Sequence, residues 1–210
     1  EDVSSVALAE MTPGFAGADM ANVCNEAALI AARRNKTSVD MSDFNYALDR
    51  VIGGLEKKNS LISPREKEII SYHEAGHAVC GWYLEHASPL VKVTIVPRGI
   101  GTLGYAQYLP KEEYITRTEQ LLDRICMTFG GRAAEEIVFG KISTGAQNDL
   151  DQVTKLAYSM VTVYGMNKNV GNVSFYQMSS DSFQKPFSEQ TSSMIDEEVR
   201  RLLDQQYQRC

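Results

Sequence analysis

Residues 63 to 77 read Ser63-Pro64-Arg65-Glu66-Lys67-Glu68-Ile69-Ile70-Ser71-Tyr72-His73-Glu74-Ala75-Gly76-His77, and the fold can be read outward from them. Ser63 is a helix N-cap, Pro64 suits the first helical position, and Glu66 lies three residues after the cap, so a helix should begin at about residue 65. The apolar residues Ile69, Ile70, Val79, Trp82 and Tyr83 continue a mostly buried helix to about His86. On that helix His73 and His77, four residues apart, share one face and can bind one metal ion. Glu74, rotated by about 100° from His73, reaches beside that ion. HExxH on a capped helix is the arrangement of a zinc hydrolase, with the glutamate as base and not as ligand.

A catalytic zinc needs a third protein ligand and one open position. Cys80 shares the histidine face but lies roughly 10 Å further along the axis than His73, which makes it a core residue and not a ligand. His86, nine residues past His77, falls about 180° round the helix. Tyr83 stands where a metzincin would carry its third histidine. The ligand must then be a carboxylate from further along, and spacing leaves Glu135, Glu136 and Asp149 open. A closed structural zinc site would need a fourth side chain, and the sequence offers no CxxC pair or spare histidine for it.

Four motifs in order make a more specific pattern: HEAGH within Ser71 to Gly81, LGYAQYLP at Leu103 to Pro110, GGRAAEE at Gly130 to Glu136, and STGAQNDL at Ser143 to Leu150. Together they resemble the peptidase domain of the FtsH family, membrane-anchored AAA zinc metalloproteases of bacteria, mitochondria and chloroplasts. The resemblance implies that Asp149 is the third zinc ligand, with His73, His77 and the base Glu74. It also implies a substrate-binding edge strand near Gly104 and Tyr105, unfolded or membrane proteins as substrates, and a homohexamer.

Thr12 to Ala32, TPGFAGADMANVCNEAALIAA, resembles the helical lid of an AAA ATPase module. No GxxxxGK[ST] loop accompanies it, so ATP and Mg2+ are expected for the full-length parent only. Such a parent would carry its membrane anchor and ATPase core ahead of Glu1. The resemblance implies a bacterial inner membrane protein with this part on the cytoplasmic side, or alternatively one of the mitochondrial inner membrane facing the matrix. A competing reading, a non-catalytic ring-forming assembly module, is opposed by the intact Glu74.

The expected fold is mainly α: a helical lid over residues 1 to 54, then a mostly helical zincin peptidase domain over 55 to 210 with a small β-hairpin. Gly53-Gly54 and the polar stretch Glu56 to Ser60 mark the boundary. Helices are expected at about Asp19 to Arg34, Ser42 to Val51, Arg65 to His86, Thr118 to Glu136, Leu150 to Tyr164 and Ser188 to Gln208. Val91, Val93 and Ile95 alternate with Lys92 and Thr94 as a half-buried strand does, with Tyr105 to Leu109 as its partner. Met166 to Gln184 reads as a loop with a short strand around Val173 to Tyr176. Gly99 to Gly104 fits GxGxxG, but a β-prone stretch ended by Pro110 follows where a nucleotide site needs a helix, so a hairpin turn explains it. A net charge of −6 argues against nucleic acid as a partner. The four cysteines have no paired spacing, which favours reduced thiols. No apolar run approaches the roughly 18 residues of a membrane span, and the first residues do not have the form of a signal peptide.

Overall fold

Local capping sets most of the elements. The computed structural model describes residues 2–56, 62–97, 104–109, 114–175 and 187–210, without the side chain of Tyr105. Ser4 accepts the Ala7 N–H and opens α1 (Ser5–Met11), a helix the sequence reading did not identify. The Asp19 carboxylate accepts the Ala16 N–H at the head of α2 (Gly17–Arg33). Asp40 accepts from the Ser42 and Asp43 N–H groups to start α3 (Met41–Gly53), which stops at Gly54 with φ 81°. Ser63 and Glu66 bond each other's backbone N–H at 2.9 and 3.2 Å, the reciprocal cap expected ahead of α4 (Pro64–Tyr83). These bonds satisfy N–H groups that have no partner inside the first helical turn.

The backbone divides into two compact units, Glu1–Ser71 with Ser88–Lys111, and Tyr72–Ala87 with Glu112–Cys210. In the first, Leu8, Val23, Ala27, Ala47 and Leu48 form a core joined by Met11, Phe15, Phe44 and Val51. Its strands β1 (Leu90–Thr94) and β2 (Tyr105–Tyr108) pair antiparallel. Lys92 Nζ reaches Asp49 of α3 at 2.6 Å and Gln107 Nε2 donates to the Met11 carbonyl at 3.1 Å, so polar side chains tie the hairpin to the helices.

The strand differs from its alternating expectation. Register slips between Leu90 and Lys92, which leaves Val91 as the extra residue of a bulge. Lys92 then points at α3 while Val93 and Ile95 stay exposed.

The second unit packs α5 (Thr118–Phe139), α6 (Gln147–Thr162) and α7 (Glu189–Arg209) against one another. Ile125, Phe129, Val153 and Met160 bury one side, Ala157, Val161, Ile195 and Val199 the other, and Leu202 and Leu203 of α7 pack against both groups. Gly140, left-handed at φ 62°, ends α5. The fold is mainly α, as expected, and no described helix is long and apolar enough to cross a membrane.

Three expectations change. The α4 helix stops at Tyr83 and not His86, because the Asp123 carboxylate accepts the His86 N–H at 3.0 Å and draws the chain off the helical path. Val79, Trp82 and Tyr83 are exposed, because the buried face of α4 is the polar and small-residue one carrying His73, Gly76 and Gly81. Val173 to Phe175 form no strand; the Phe175 N–H instead donates to the Thr162 carbonyl at 2.8 Å and its ring packs edge-on to Phe187. Tyr176 and most of the glycine-rich turn before Gly104 lie outside the described residues.

Candidate metal centre

Two glycine contacts bring α4 and α5 close enough to build a site. A Cβ on Gly76 would lie 2.1 Å from the Gly130 carbonyl oxygen, and one on Gly131 would lie 2.5 Å from the His73 ring. Real side chains cannot approach that closely, so Gly76, Gly130 and Gly131 are required by the crossing and by the imidazole seated on it. Sequence reasoning quoted these glycines as motif letters without giving them a role. Adjacent glycines inside a helix, where glycine costs about 1 kcal/mol each, were the available signal.

The buried imidazoles are oriented from behind. His77 Nδ1 lies 3.0 Å from the Met127 carbonyl oxygen, an atom that only accepts, so Nδ1 carries the proton and Nε2 keeps its lone pair. His73 Nδ1 lies 2.7 Å from Glu135 Oε1, which fixes the same tautomer. Glu135 is 2 % exposed, and its second oxygen accepts the Ser143 N–H at 2.7 Å. One carboxylate thus holds both His73 and the start of the 3-10 turn Thr144–Ala146 that leads into α6. Asp149 sits in the first turn of α6, where the helix dipole favours a carboxylate.

These supports aim three atoms at one point. The two Nε2 atoms are 3.1 Å apart, and Asp149 Oδ2 lies 3.1 Å from that of His73 and 3.5 Å from that of His77. Of the carboxylates left open by spacing, Asp149 alone joins the histidines. Glu135 stands behind His73, and Glu136 is exposed and accepts the Tyr207 hydroxyl. Cys80 is half-buried and faces the end of α7.

Three lone pairs facing one another repel unless a cation lies among them, and two imidazole nitrogens with one carboxylate oxygen form a donor set suited to zinc. The residues therefore fit the ion. Their proton affinities carry the same signature. Burial lowers the pKa of His73, but the Asp149 and Glu135 carboxylates outweigh it and the net shift is upward. His77 is likewise pushed down by burial and raised further by Asp149 and the Met127 carbonyl. Asp149 is raised by burial, yet the histidines hold it at about 2.

Glu74 differs from the other three. It is 8 % exposed and makes no hydrogen bond among the described residues. Burial raises its pKa, partly offset by His77 and His73. A carboxylate largely withdrawn from water and raised in pKa is ready to take a proton.

Gly104 precedes β2 and Tyr105 begins it, at the edge of the hairpin.

A helix-borne pair of histidines, a carboxylate from a later helix and a free buried glutamate define an HExxH metal-site protein. Residues 60–210 match peptidase family M41 and residues 2–46 match the AAA+ lid domain. The chain belongs to peptidase family M41. It is 59% identical to the ATP-dependent zinc metalloprotease FtsH of Rhodothermus marinus, over 100% of this chain and 31% of that one. It is 60% identical to the mitochondrial ATP-dependent zinc metalloprotease FTSH 10 of Arabidopsis thaliana, over 96% of this chain and 25% of the relative. A component of the mitochondrial inner membrane m-AAA protease of Mus musculus is 59% identical over 96% and 25%. The chain spans about a quarter to a third of the length of these relatives, and the FtsH resemblance seen in four motifs is the one they carry.

Proposed function

We propose that this chain is the lid and peptidase part of an ATP-dependent zinc metalloendopeptidase that degrades unfolded, misfolded and membrane proteins. The observation that carries the reading is the convergence of His73, His77 and Asp149, with the unbonded Glu74 beside them. His73 and His77 through Nε2, and Asp149 through Oδ2, would hold the ion. When bound, zinc supplies a Lewis acid that polarises the scissile carbonyl and makes water more acidic. Glu74 takes the proton from the attacking water and returns one to the leaving amine, a task its raised pKa suits. Glu135 and the Met127 carbonyl keep both imidazoles in the tautomer that presents Nε2.

The lid is assigned to residues 1–54 and the peptidase domain to 55–210, a division supported by family matches that end at residue 46 and resume at 60. Gly104 and Tyr105 are assigned to substrate binding: β2 pairs with β1 in a sheet of two strands among the described residues, and its other edge can take an extended peptide backbone. ATP and Mg2+ belong to the full-length parent, which the names of the relatives support. A homohexamer follows from the family resemblance. Membrane attachment through a segment N-terminal to this one is supported by the inner-membrane relative. The bacterial inner membrane, with this part on the cytoplasmic side, is the assigned location, and the mitochondrial inner membrane facing the matrix the alternative.

The test pairs zinc content of the wild type and Asp149→Asn with casein hydrolysis by the wild type and Glu74→Gln, each in the full-length, ATP-supplied protein. One zinc per chain, lost with Asp149, and cleavage lost with Glu74 while zinc remains, is the expected result. Zinc retained by Asp149→Asn but lost on substituting Glu135 would overturn the ligand set, and metal without Glu74-dependent cleavage would favour the assembly module.

A further inference from the structure

Three of the four cysteines gather in the second unit, away from the metal ligands. Cys80 Sγ, one turn beyond His77 on α4, lies 3.4 Å from Cys210 Sγ at the end of α7. Cys126 of α5 is 2 % exposed, and the Cys210 thiol lowers its pKa. The fourth, Cys24, is exposed on α2 of the other unit. The two near sulfurs come from positions 130 residues apart in sequence, so a bond between them would clasp the metal-bearing helix to α7.

We infer that Cys80 and Cys210 are a redox-modifiable pair that closes to a disulfide when the protein meets a hydroperoxide. The separation of 3.4 Å is van der Waals contact, about 1.4 Å longer than the roughly 2.05 Å of an S–S bond. The pair is also chemically unequal. The hydrogen bond shared with Cys210 holds the Cys80 thiol down to about 7 despite burial. Cys210, facing two sulfurs that favour its protonated form, is pushed up. Both residues are half-buried, whereas Cys126 is closed to solvent. Cys80 is therefore the sulfur that reacts first and Cys210 the one that resolves it.

The Cys80 thiolate attacks one peroxide oxygen, the O–O bond breaks, and hydroxide leaves with a proton from solvent as water. Cys80 is now a sulfenic acid, oxidised by two electrons. Cys210 sulfur attacks the Cys80 sulfur, the S–O bond breaks, and the Cys210 proton leaves with the departing hydroxide as a second water. Two thiols and one hydrogen peroxide become one disulfide and two waters. A dithiol reverses the change by exchange.

The experiment treats reduced, zinc-loaded protein with stoichiometric hydrogen peroxide and counts free thiols, followed by peptide mapping of the intact disulfides by mass spectrometry. The wild type should lose two thiols per chain, yield a linked peptide pair containing Cys80 and Cys210, and recover both thiols with dithiothreitol, while zinc content stays unchanged. Cys80→Ser and Cys210→Ser should each abolish the link and Cys24→Ser should leave it intact. The map of the wild type decides the question even where a variant fails to fold. A Cys126 to Cys210 link, a link that depends on Cys24, or oxidation of Cys80 to sulfinic acid without a disulfide would overturn the assignment.

Discussion

The two units bury carboxylates to opposite ends. In the first, Asp43 is 0 % exposed and fully answered: Arg34 and Lys36 both reach it at 3.0 Å, and its other contact is the Asp40 N–H at the head of α3. In the second, Glu74 is 8 % exposed and no hydrogen bond answers it among the described residues. A buried charge with its partners present is part of a scaffold, whereas a carboxylate largely withdrawn from water without such partners is raised in pKa and left free to exchange a proton. Between these extremes stands Glu135, buried and satisfied, but by a histidine whose other nitrogen faces the metal position.

The widest gap between the units should appear on replacing Glu74. Glu74→Gln is expected to reduce peptide hydrolysis by about 10²- to 10⁴-fold, the usual range for a lost general base, while the unfolding midpoint stays level or rises because a partly desolvated charge has gone. A parallel fall in stability and zinc content would make Glu74 a structural residue and erase the contrast. Glu135→Gln should act through metal affinity, weakening zinc binding by about 10- to 100-fold as loss of a residue that orients a ligand does. Competition with a chromogenic chelator measures it, and unchanged affinity would mean that the bond to His73 Nδ1 does not set the tautomer.

How far the site could be read from sequence follows the same division. The HExxH helix was legible down to its Ser63–Glu66 cap because capping and i,i+4 geometry are local. Spacing could not choose among Glu135, Glu136 and Asp149, since which carboxylate meets the histidines depends on how α4, α5 and α6 pack; only family resemblance pointed to Asp149. The exposed Val79, Trp82 and Tyr83 were misread for a related reason. Apolar residues normally mark the buried face of a helix, but on α4 the site claims that face for histidines and glycines. The bulge at Val91 escaped because alternation cannot register one extra residue. Helix α1 had an N-cap at Ser4 but only seven residues, too short for periodicity to stand out.

Removing the answered carboxylate gives the converse of the Glu74 result. Asp43→Ala should cost about 2 kcal/mol, below the range for a fully buried pair because Arg34 and Lys36 are partly exposed and can turn to water. Chemical denaturation followed by amide exchange of α3 reports it, and a loss under about 0.5 kcal/mol, the scale of ordinary surface changes, would place Asp43 outside the scaffold.

The smallest effect lies in the same cluster and depends on pH. The hydrogen bond from Lys36, and next that from Ser42, hold the Asp40 carboxyl well below the usual carboxylate range, while Asp40 and then Asp43 raise Lys36 above its ordinary value. Asp40 binds its proton more weakly folded than unfolded, so its contribution is complete at neutral pH and is lost as pH falls below about 4 toward the lower folded value. Lys36 is the mirror case, contributing fully below its unfolded pKa and losing that contribution only as pH rises beyond about 10.4. The first unit should therefore hold a plateau of stability between these limits and weaken on the acid side before any alkaline loss. Exchange rates of the α3 amides against pH test this. Asp40→Asn should flatten part of the acid limb, and an unchanged profile would show that the half-exposed ion pairs are screened by water to no net effect.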